Sequence, residues 1–444
     1  MLNVITLTVI QGKLQGKKYT FDSRTVCIVG RSEDCQIILP DDEEHRTISR
    51  YHCLLDINPP AIRIRDFGSL NGTAVDGRNI GQRLPGQTPA EGAKLDLPEY
   101  DLHTGSQIQL SDTIFQIEIE VEEAPVFSQP APENLNDIVV QLIAEAMKGD
   151  QNLSAIKGYR LLKTIGVGGF GEVFLAENQE SHQLVALKVM LPKVAATERA
   201  VQMFSREINI SRSLDHPNLV QLLDHGHADG TFFMTMEYCE EGSVVSLMKQ
   251  YGGKLPVNLA VDLIVQVLDG LEYAHQVDIT TQVGEDIIVT RGLVHRDLKP
   301  ENILLKAEGE RLVAKVADFG LAKAFDLAGL SGMTMSGNAM GTPLFICRQQ
   351  LLDFKYSKPE IDVWAAAASL YFMLTCEIVR EFPRGQDPLV AILQNAPVPI
   401  LQRDPNIPLA LAETIDLALI DNPGLHFKTA SRFREALKAA MVSK

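Results

Sequence analysis

Polar and apolar positions alternate over short stretches at the start of the chain, and longer runs with a helical repeat appear later. The period-2 pattern predicts strands over Val4–Ile10, Thr25–Val29, Cys53–Ile57, Ile62–Arg65, Gln107–Leu110 and Thr113–Glu120, set apart by Gly, Pro, Asp and Asn clusters. Short strands at that spacing imply a β-sandwich. Between Ile80 and Leu102 the Gly- and Pro-rich sequence reads as a surface loop. From Glu122 the chain turns acidic and proline-rich without a period, as a solvated linker does. Asn136-Asp137 then caps a helix that carries Ile138, Val139, Leu142, Ile143 and Ala146 on one face. Beyond it, Tyr159–Ile165, Val173–Glu177 and Val185–Lys188 read as strands and Glu198–Leu214 as a helix. The stretch Gln276–Arg291 alternates enough to form a small hairpin, Val363–Cys376 reads as a core helix, and Ala430–Met441 as the last helix.

A chain of 444 residues exceeds what one core usually supports, so two or three domains are expected. With 45% apolar and 22% charged residues, neither wholesale disorder nor a membrane protein is indicated. The longest nearly uncharged run, Val363–Cys376, falls short of the roughly 20 residues that cross a bilayer. Met1–Ile10 is apolar but has no basic flank, so no secretory signal is expected. A net charge of −16 argues against bulk binding to nucleic acid or anionic membranes. Cys27, Cys35, Cys53, Cys239, Cys347 and Cys376 are scattered without metal-ligand spacing and read as reduced thiols, so the expected compartment is the cytoplasm.

Three loop signals interrupt the β-patterned region: Gly30-Arg31-Ser32, Ser49-Arg50-Tyr51-His52 and Gly68-Ser69-Leu70-Asn71-Gly72-Thr73. Singly, each reads as a surface turn. In this order they resemble a forkhead-associated (FHA) domain, a β-sandwich that binds phosphothreonine peptides. The chemistry suits that ligand, since Arg31 and Arg50 offer guanidinium donors to a phosphate, Ser49 adds a hydroxyl, and the Asn71 amide can grip a peptide backbone. The resemblance implies a supporting role for His52, away from the phosphate.

Val294-His295-Arg296-Asp297-Leu298-Lys299-Pro300-Glu301-Asn302 packs charges and an amide into one loop, which is costly unless a substrate and a metal complete the set. It resembles the catalytic loop of eukaryotic-type protein kinases, in which the Asp accepts the substrate hydroxyl's proton and the Asn holds a magnesium ion. Gly166-Val167-Gly168-Gly169-Phe170-Gly171 lies between two strand patterns, which disfavours a dinucleotide fold and suits the glycine loop of a kinase. The resemblance then implies roles for further residues. Ile165, Val173, Ala186 and Leu304 would enclose adenine, and Glu237 and Cys239 in the hinge stretch Met236–Cys239 would bind its edge through the backbone. Lys188 would reach the ATP phosphates, paired with Glu207. Asp318 of Asp318-Phe319-Gly320 would join Asn302 in holding Mg²⁺, or Mn²⁺ in its place. Asp297 would be the base, and Lys299 and Gly341-Thr342 resemble the serine/threonine branch. Arg296 implies an activation segment ordered by phosphate, with Ser331, Thr334 and Ser336 as candidate autophosphorylation sites. Asp362-Val363-Trp364 resembles the helix that ties back to the catalytic loop.

Departures from the family pattern are visible. Cys347-Arg348-Gln349 stands where Ala-Pro-Glu is usual, and His426 where the Glu's arginine partner is usual, so both ends of a buried ion pair are replaced. Ser211 stands one turn after Glu207, where an apolar residue is common, implying a less firmly held helix. None of these removes a group expected to touch nucleotide, metal or hydroxyl.

The expectation is a multidomain chain, an N-terminal all-β FHA sandwich over 1–122, a linker and amphipathic helix over 123–156, and a C-terminal α+β bilobal kinase fold over 157–444. It would transfer the γ-phosphoryl of ATP to protein Ser/Thr hydroxyls in signal transduction, recruiting phosphothreonine proteins through the FHA pocket. The alternative is a pseudokinase scaffold acting through that pocket alone. A scaffold would more often have lost one of Lys188, Asp297, Asn302 and Asp318.

Overall fold

The computed structural model describes residues 3–22, 25–42, 45–92, 95, 97–120, 156–168, 171–190, 208–228, 231–283, 286–319, 344–352, 357–383 and 388–442. Its contacts divide into two compact units.

Among the described residues the first unit holds eleven strands: β1 (Val4–Gln11), β2 (Lys18–Phe21), β3 (Thr25–Gly30), β4 (Ile37–Ile38), β5 (Cys53–Asn58), β6 (Ala61–Asp66), β7 (Thr73–Val75), β8 (Arg78–Gly81), β9 (Tyr100–Leu102), β10 (Gln107–Leu110) and β11 (Thr113–Glu120). They form two sheets, ordered β2-β1-β11-β10-β7-β8 and β4-β3-β5-β6-β9. The alternation of β1 is what sets its register. Ile5, Leu7 and Val9 are buried and lie opposite Ile119, Ile117 and Phe115 of β11, so one face of the pair is continuously apolar. These side chains meet Cys27, Leu55, Ile57 and Ile64 of the other sheet in a single core. The six strands legible in the alternation are all present. The other five span two to four residues, too short to display a period. The stretch expected to be a loop after Ile80 holds a helical turn, Pro89–Gly92, and β9, which pairs with β6 through Ile62 and Leu102.

This unit also takes in residues 342–357 and 380–397, with the short helices Arg348–Leu352 and Pro388–Gln394. Arg348 is buried and donates to the Leu393 carbonyl, the Asp34 carboxylate and the Tyr51 hydroxyl. That gives the unusual arginine of Cys347-Arg348-Gln349 an anion partner.

The second unit begins with an antiparallel sheet of β12 (Tyr159–Gly168), β13 (Gly171–Asn178), β14 (Leu184–Met190), β15 (Leu222–Ala228) and β16 (Thr231–Glu237), ordered β12-β13-β14-β16-β15. Phe174, Val185, Leu187, Val189 and Phe233 form its core. Two hairpins follow, β17–β18 (Asp278–Val283 and Asp286–Arg291) and β19–β20 (Ile303–Glu308 and Arg311–Val316). The first is the hairpin expected over 276–291.

The longer helices of this unit are α1 (Val257–Gln276), α2 (Glu360–Thr375), α3 (Leu409–Ala418) and α4 (Ala430–Val442), beside the short Val244–Gln250 and Ile400–Arg403. Helix α2 is apolar all round and accordingly buried along nearly its whole length. It ends where Cys376 takes a left-handed conformation, φ 58°. The Trp364 indole donates to the Leu419 carbonyl at 2.9 Å, which fixes α2 against the chain after α3. Among the described residues no helix is long and apolar enough to cross a membrane. The linker and the helix expected over 136–146 lie outside the described residues.

Candidate active site

The catalytic-loop motif lies between α1 and β19, and one carboxylate from α2 shapes its backbone. Asp362 Oδ1 accepts the Arg296 N–H at 2.9 Å, and Oδ2 accepts the His295 N–H at 2.7 Å and lies 2.8 Å from His275 Nε2. Arg296 adopts φ 69°, the left-handed region that costs a non-glycine residue about 1–2 kcal/mol. The two bonds to Asp362 hold it there. Burial pushes the Asp362 carboxyl up. The hydrogen bond and charge of His275, then the backbone N–H of His295, outweigh it, so the group stays below the ordinary carboxylate range.

His295 is fully buried. Its Nδ1 accepts the Asp297 N–H at 3.2 Å, so Nε2 carries the proton and donates to the Ala317 carbonyl at 2.8 Å. The ring stands edge-on to Phe319, centroids 4.8 Å apart. The motif histidine therefore joins the loop to the Asp318-Phe319 segment.

Asp297 has two further local partners. Lys299 Nζ lies 2.8 Å from its Oδ2, and Asn302 Nδ2 donates to its carbonyl oxygen at 2.8 Å and to Oδ2 at 3.3 Å. With 47% of its side chain exposed, Asp297 is a positioned carboxylate open to an incoming hydroxyl. Turning Asn302 Nδ2 toward Asp297 aims the amide oxygen the other way. Lys188 on β14 reaches Asp318 Oδ2 at 2.7 Å. Burial raises the Asp318 carboxyl, but the Lys188 charge and hydrogen bond, with the charge of Lys299, bring it below its ordinary range. An ionised carboxylate and an amide oxygen are hard oxygen donors, so this pair fits a divalent cation with phosphate oxygens completing its shell.

Glu207, the expected partner of Lys188, lies outside the described residues, as do Gly169, Phe170, Ser331, Thr334 and Ser336. Among the described residues the carboxylate on Lys188 is that of Asp318. Gly171 pairs with Met190 at φ 152°, and a Cβ there would sit 1.9 Å from the Val189 carbonyl oxygen, so only glycine fits. Ile165 and Val167 are exposed on β12, while Ala186, Met236 and Cys239 are buried and Leu304 partly so. Ser211 does not leave its helix untied, because its hydroxyl donates to the Phe319 carbonyl at 2.9 Å. It lines a pocket with Leu214, Leu222, Met234, Met236 and Phe319.

In the first unit the three loops converge. Gly30 lies so near the next loop that a Cβ would meet the Arg50 carbonyl oxygen at 2.2 Å. Arg31 Nε donates to the Ile48 carbonyl at 2.5 Å, and its guanidinium also meets Asp41. Ser49 Oγ accepts the Leu70 N–H at 3.2 Å, and Asn71 Nδ2 donates to the Thr47 carbonyl at 2.6 Å. Arg50 is exposed beside them. His52, fully buried, accepts the Ser49 N–H on Nδ1 and so donates from Nε2 to the Gly72 carbonyl, both at 3.1 Å. Asp66 was not singled out in the sequence. It accepts from the Ser69 N–H and hydroxyl, both at 2.7 Å, and from Thr73 Oγ1 at 2.5 Å, and so builds the Asn71 loop from inside. An acidic residue ending an apolar strand just before Gly-Ser was the available signal.

The second unit thus offers a strand–glycine–strand turn, a lysine paired with a half-buried carboxylate, and an aspartate held by lysine and asparagine. The family model for the protein kinase domain matches residues 159–408, more than half of the chain, and that for the FHA domain matches residues 27–111. The chain belongs to the protein kinase family and carries an FHA domain ahead of the kinase domain. It is 28% identical over 293 residues to the serine/threonine-protein kinase PknJ of Mycobacterium tuberculosis, an overlap of 65% of this chain and 46% of that one. It is 30% identical over 286 residues to PknD of the same species, 64% of this chain and 40% of that one. It thus spans less than half the length of these two relatives. Among solved structures it is similar to Rad53 1-466 with AMP-PNP, with 18% identity, TM-score 0.48 and coverage of 98% and 99% of the two chains. It is also similar to the M. tuberculosis PknI kinase domain, with 23% identity, TM-score 0.48 and coverage of 64% and 96%.

Proposed function

We propose that this chain is an active serine/threonine protein kinase in which residues 157–444 form the kinase domain, residues 1–122 the FHA domain and residues 123–156 the connection. The observation that carries the reading is the convergence of Lys299 and Asn302 on Asp297, beside the Lys188–Asp318 pair. Mg·ATP, when bound, supplies the γ-phosphoryl group and a cation to spread its charge. Asn302 and Asp318 hold the metal, Mg²⁺ in the first instance and Mn²⁺ as a substitute. Asp297 orients the acceptor hydroxyl and takes its proton. Lys299, bonded to that carboxylate, steadies it and adds positive charge where the phosphoryl group passes. Lys188 and Glu207 orient the phosphates, and the glycine loop from Gly166 to Gly171 covers them. Ile165, Val173, Ala186 and Leu304 enclose the base, and the backbone of Glu237 and Cys239 reads its edge.

Arg31, Ser49, Arg50 and Asn71 bind a phosphothreonine peptide, which brings phosphorylated partners or the activation segment itself to the kinase and raises their local concentration. Ser331, Thr334 and Ser336 are the candidate autophosphorylation sites. The setting is cytoplasmic signalling. The test is transfer of labelled phosphate from ATP to a generic Ser/Thr acceptor protein, run beside the binding of one peptide in threonine and phosphothreonine forms. Transfer to Ser/Thr together with preference for the phosphorylated peptide supports the reading. Neither activity from a folded chain overturns it.

A further inference from the structure

Glu237 ends β16 at the start of the hinge, and its carboxylate is held by two lysines from the β19–β20 hairpin. Lys306 Nζ lies 2.6 Å from Oε1 and Lys315 Nζ 3.1 Å from Oε2. Lys315 keeps only 8% of its side chain exposed and Glu237 18%. In the hairpin register Lys315 stands opposite Leu304, and Lys306 opposite Val313. Residues 304 and 306 share a face, so both ammonium groups rise from one side of the hairpin as diagonal neighbours. Two like charges there repel unless an anion lies between them, and the hinge supplies it. Burial raises the Glu237 carboxyl, but the two lysine bonds outweigh burial and bring it below its ordinary range.

The backbone runs parallel to this clamp. The Glu237 N–H donates to Gln221 O at 2.9 Å, Glu241 N–H to Leu305 O at 3.2 Å, and Leu305 N–H to Gly242 O at 2.8 Å. The hinge is thereby fixed to the same strand that carries Leu304.

We propose that Lys306, Glu237 and Lys315 form a charge clamp that sets the hinge backbone at a fixed height over Leu304 and so enforces adenine over guanine. This rests on the reading of Glu237–Cys239 as the segment that reads the base. Adenine offers a donor at N6 and an acceptor at N1, and guanine offers an acceptor at O6 and a donor at N1. A rigid carbonyl and N–H match the first pattern and oppose the second, whereas a backbone free to shift accommodates both. Lys306 and Lys315 are positioning residues, since they act through Glu237.

The experiment uses the full chain and needs no turnover. Calorimetry gives Kd for ADP and GDP with the wild type, Lys306→Met/Lys315→Met, and the neutral triple variant that adds Glu237→Gln. Hydrogen exchange of amides 237–242 is followed in parallel. The double variant strands a partly buried carboxylate. It should weaken ADP binding about tenfold, narrow the ADP:GDP ratio by a similar factor and speed exchange at the hinge. The triple variant, with no charge to strand, should recover most of the exchange protection. An unchanged nucleotide ratio with unchanged hinge exchange overturns the proposal. So does equal loss in the double and triple variants, which would mark a merely structural role. Should the double variant not fold, the single Lys315→Met is read in the same way against Lys306→Met. A wild type that binds neither nucleotide refutes the base-reading segment instead, and hinge exchange then still reports on the clamp.

Discussion

Asp362→Asn isolates the group that shapes the catalytic loop. The carboxylate accepts the N–H groups of His295 and Arg296 and pairs with His275, through two oxygens. An amide has one acceptor oxygen, so in either orientation at least one of these buried donors faces an NH₂ group. An unsatisfied buried donor costs about 1–3 kcal/mol, and that loss of unfolding free energy is expected in urea titrations. The loop should suffer as well. Either the Arg296 bond or the His295 bond that holds the left-handed Arg296 backbone is lost, and a displacement of Asp297 by about 1 Å is enough to lower kcat by on the order of 10²-fold. The acid dependence has a definite sign. A carboxyl held below its ordinary value contributes stability that is complete above the unfolded value, about 3.9, and is lost as pH falls through the folded value. The stability gap between wild type and variant is therefore present at neutral pH and closes below about pH 4. Equal urea midpoints and equal kcat would refute the reasoning, as would a gap that widens on acidification.

Two further outcomes concern the first unit. Arg31→Ala with Ser49→Ala should weaken phosphothreonine-peptide binding by at least about tenfold, since each charge-assisted bond is worth roughly 1.5–3 kcal/mol, and fluorescence anisotropy gives the Kd. An unchanged Kd would remove those residues from the pocket. His52→Ala breaks the bonds to Ser49 and Gly72 and should cost about 1–3 kcal/mol in unfolding experiments. Burial lowers the His52 imidazole and outweighs the Asp66 charge, so the folded chain keeps it neutral while the unfolded chain takes up a proton below about pH 6.5. Its contribution is full above that pH and shrinks as pH falls toward the folded value. The variant should lack this part of the acid dependence, and parallel pH profiles would contradict the assignment.

What was legible in the sequence was local. Ile5, Leu7 and Val9 announce β1 by alternation, and α2 announces itself as an apolar run, because period and burial are written in neighbouring residues. The catalytic loop was legible because Asp297, Lys299 and Asn302 are close in sequence and also touch in the fold. What was missed depends on partners far along the chain. Tyr100–Leu102 becomes a strand only because β6 offers an edge. Ser211 looked like a gap in an apolar stack until Phe319 supplied an acceptor across 108 positions. Nothing local in the sequence marks Lys306 and Lys315, and only the hairpin register puts both on Glu237.

The central claim is that Asp297 is the base of an active kinase. The most direct measurement is intact and peptide mass spectrometry of the purified chain after incubation with Mg·ATP, beside Asp297→Asn. The account predicts phosphate on Ser or Thr residues of the wild type, with Ser331, Thr334 and Ser336 among the candidates, and none on the variant. Equal phosphorylation of both chains would contradict it, and so would an unmodified wild type that binds ATP.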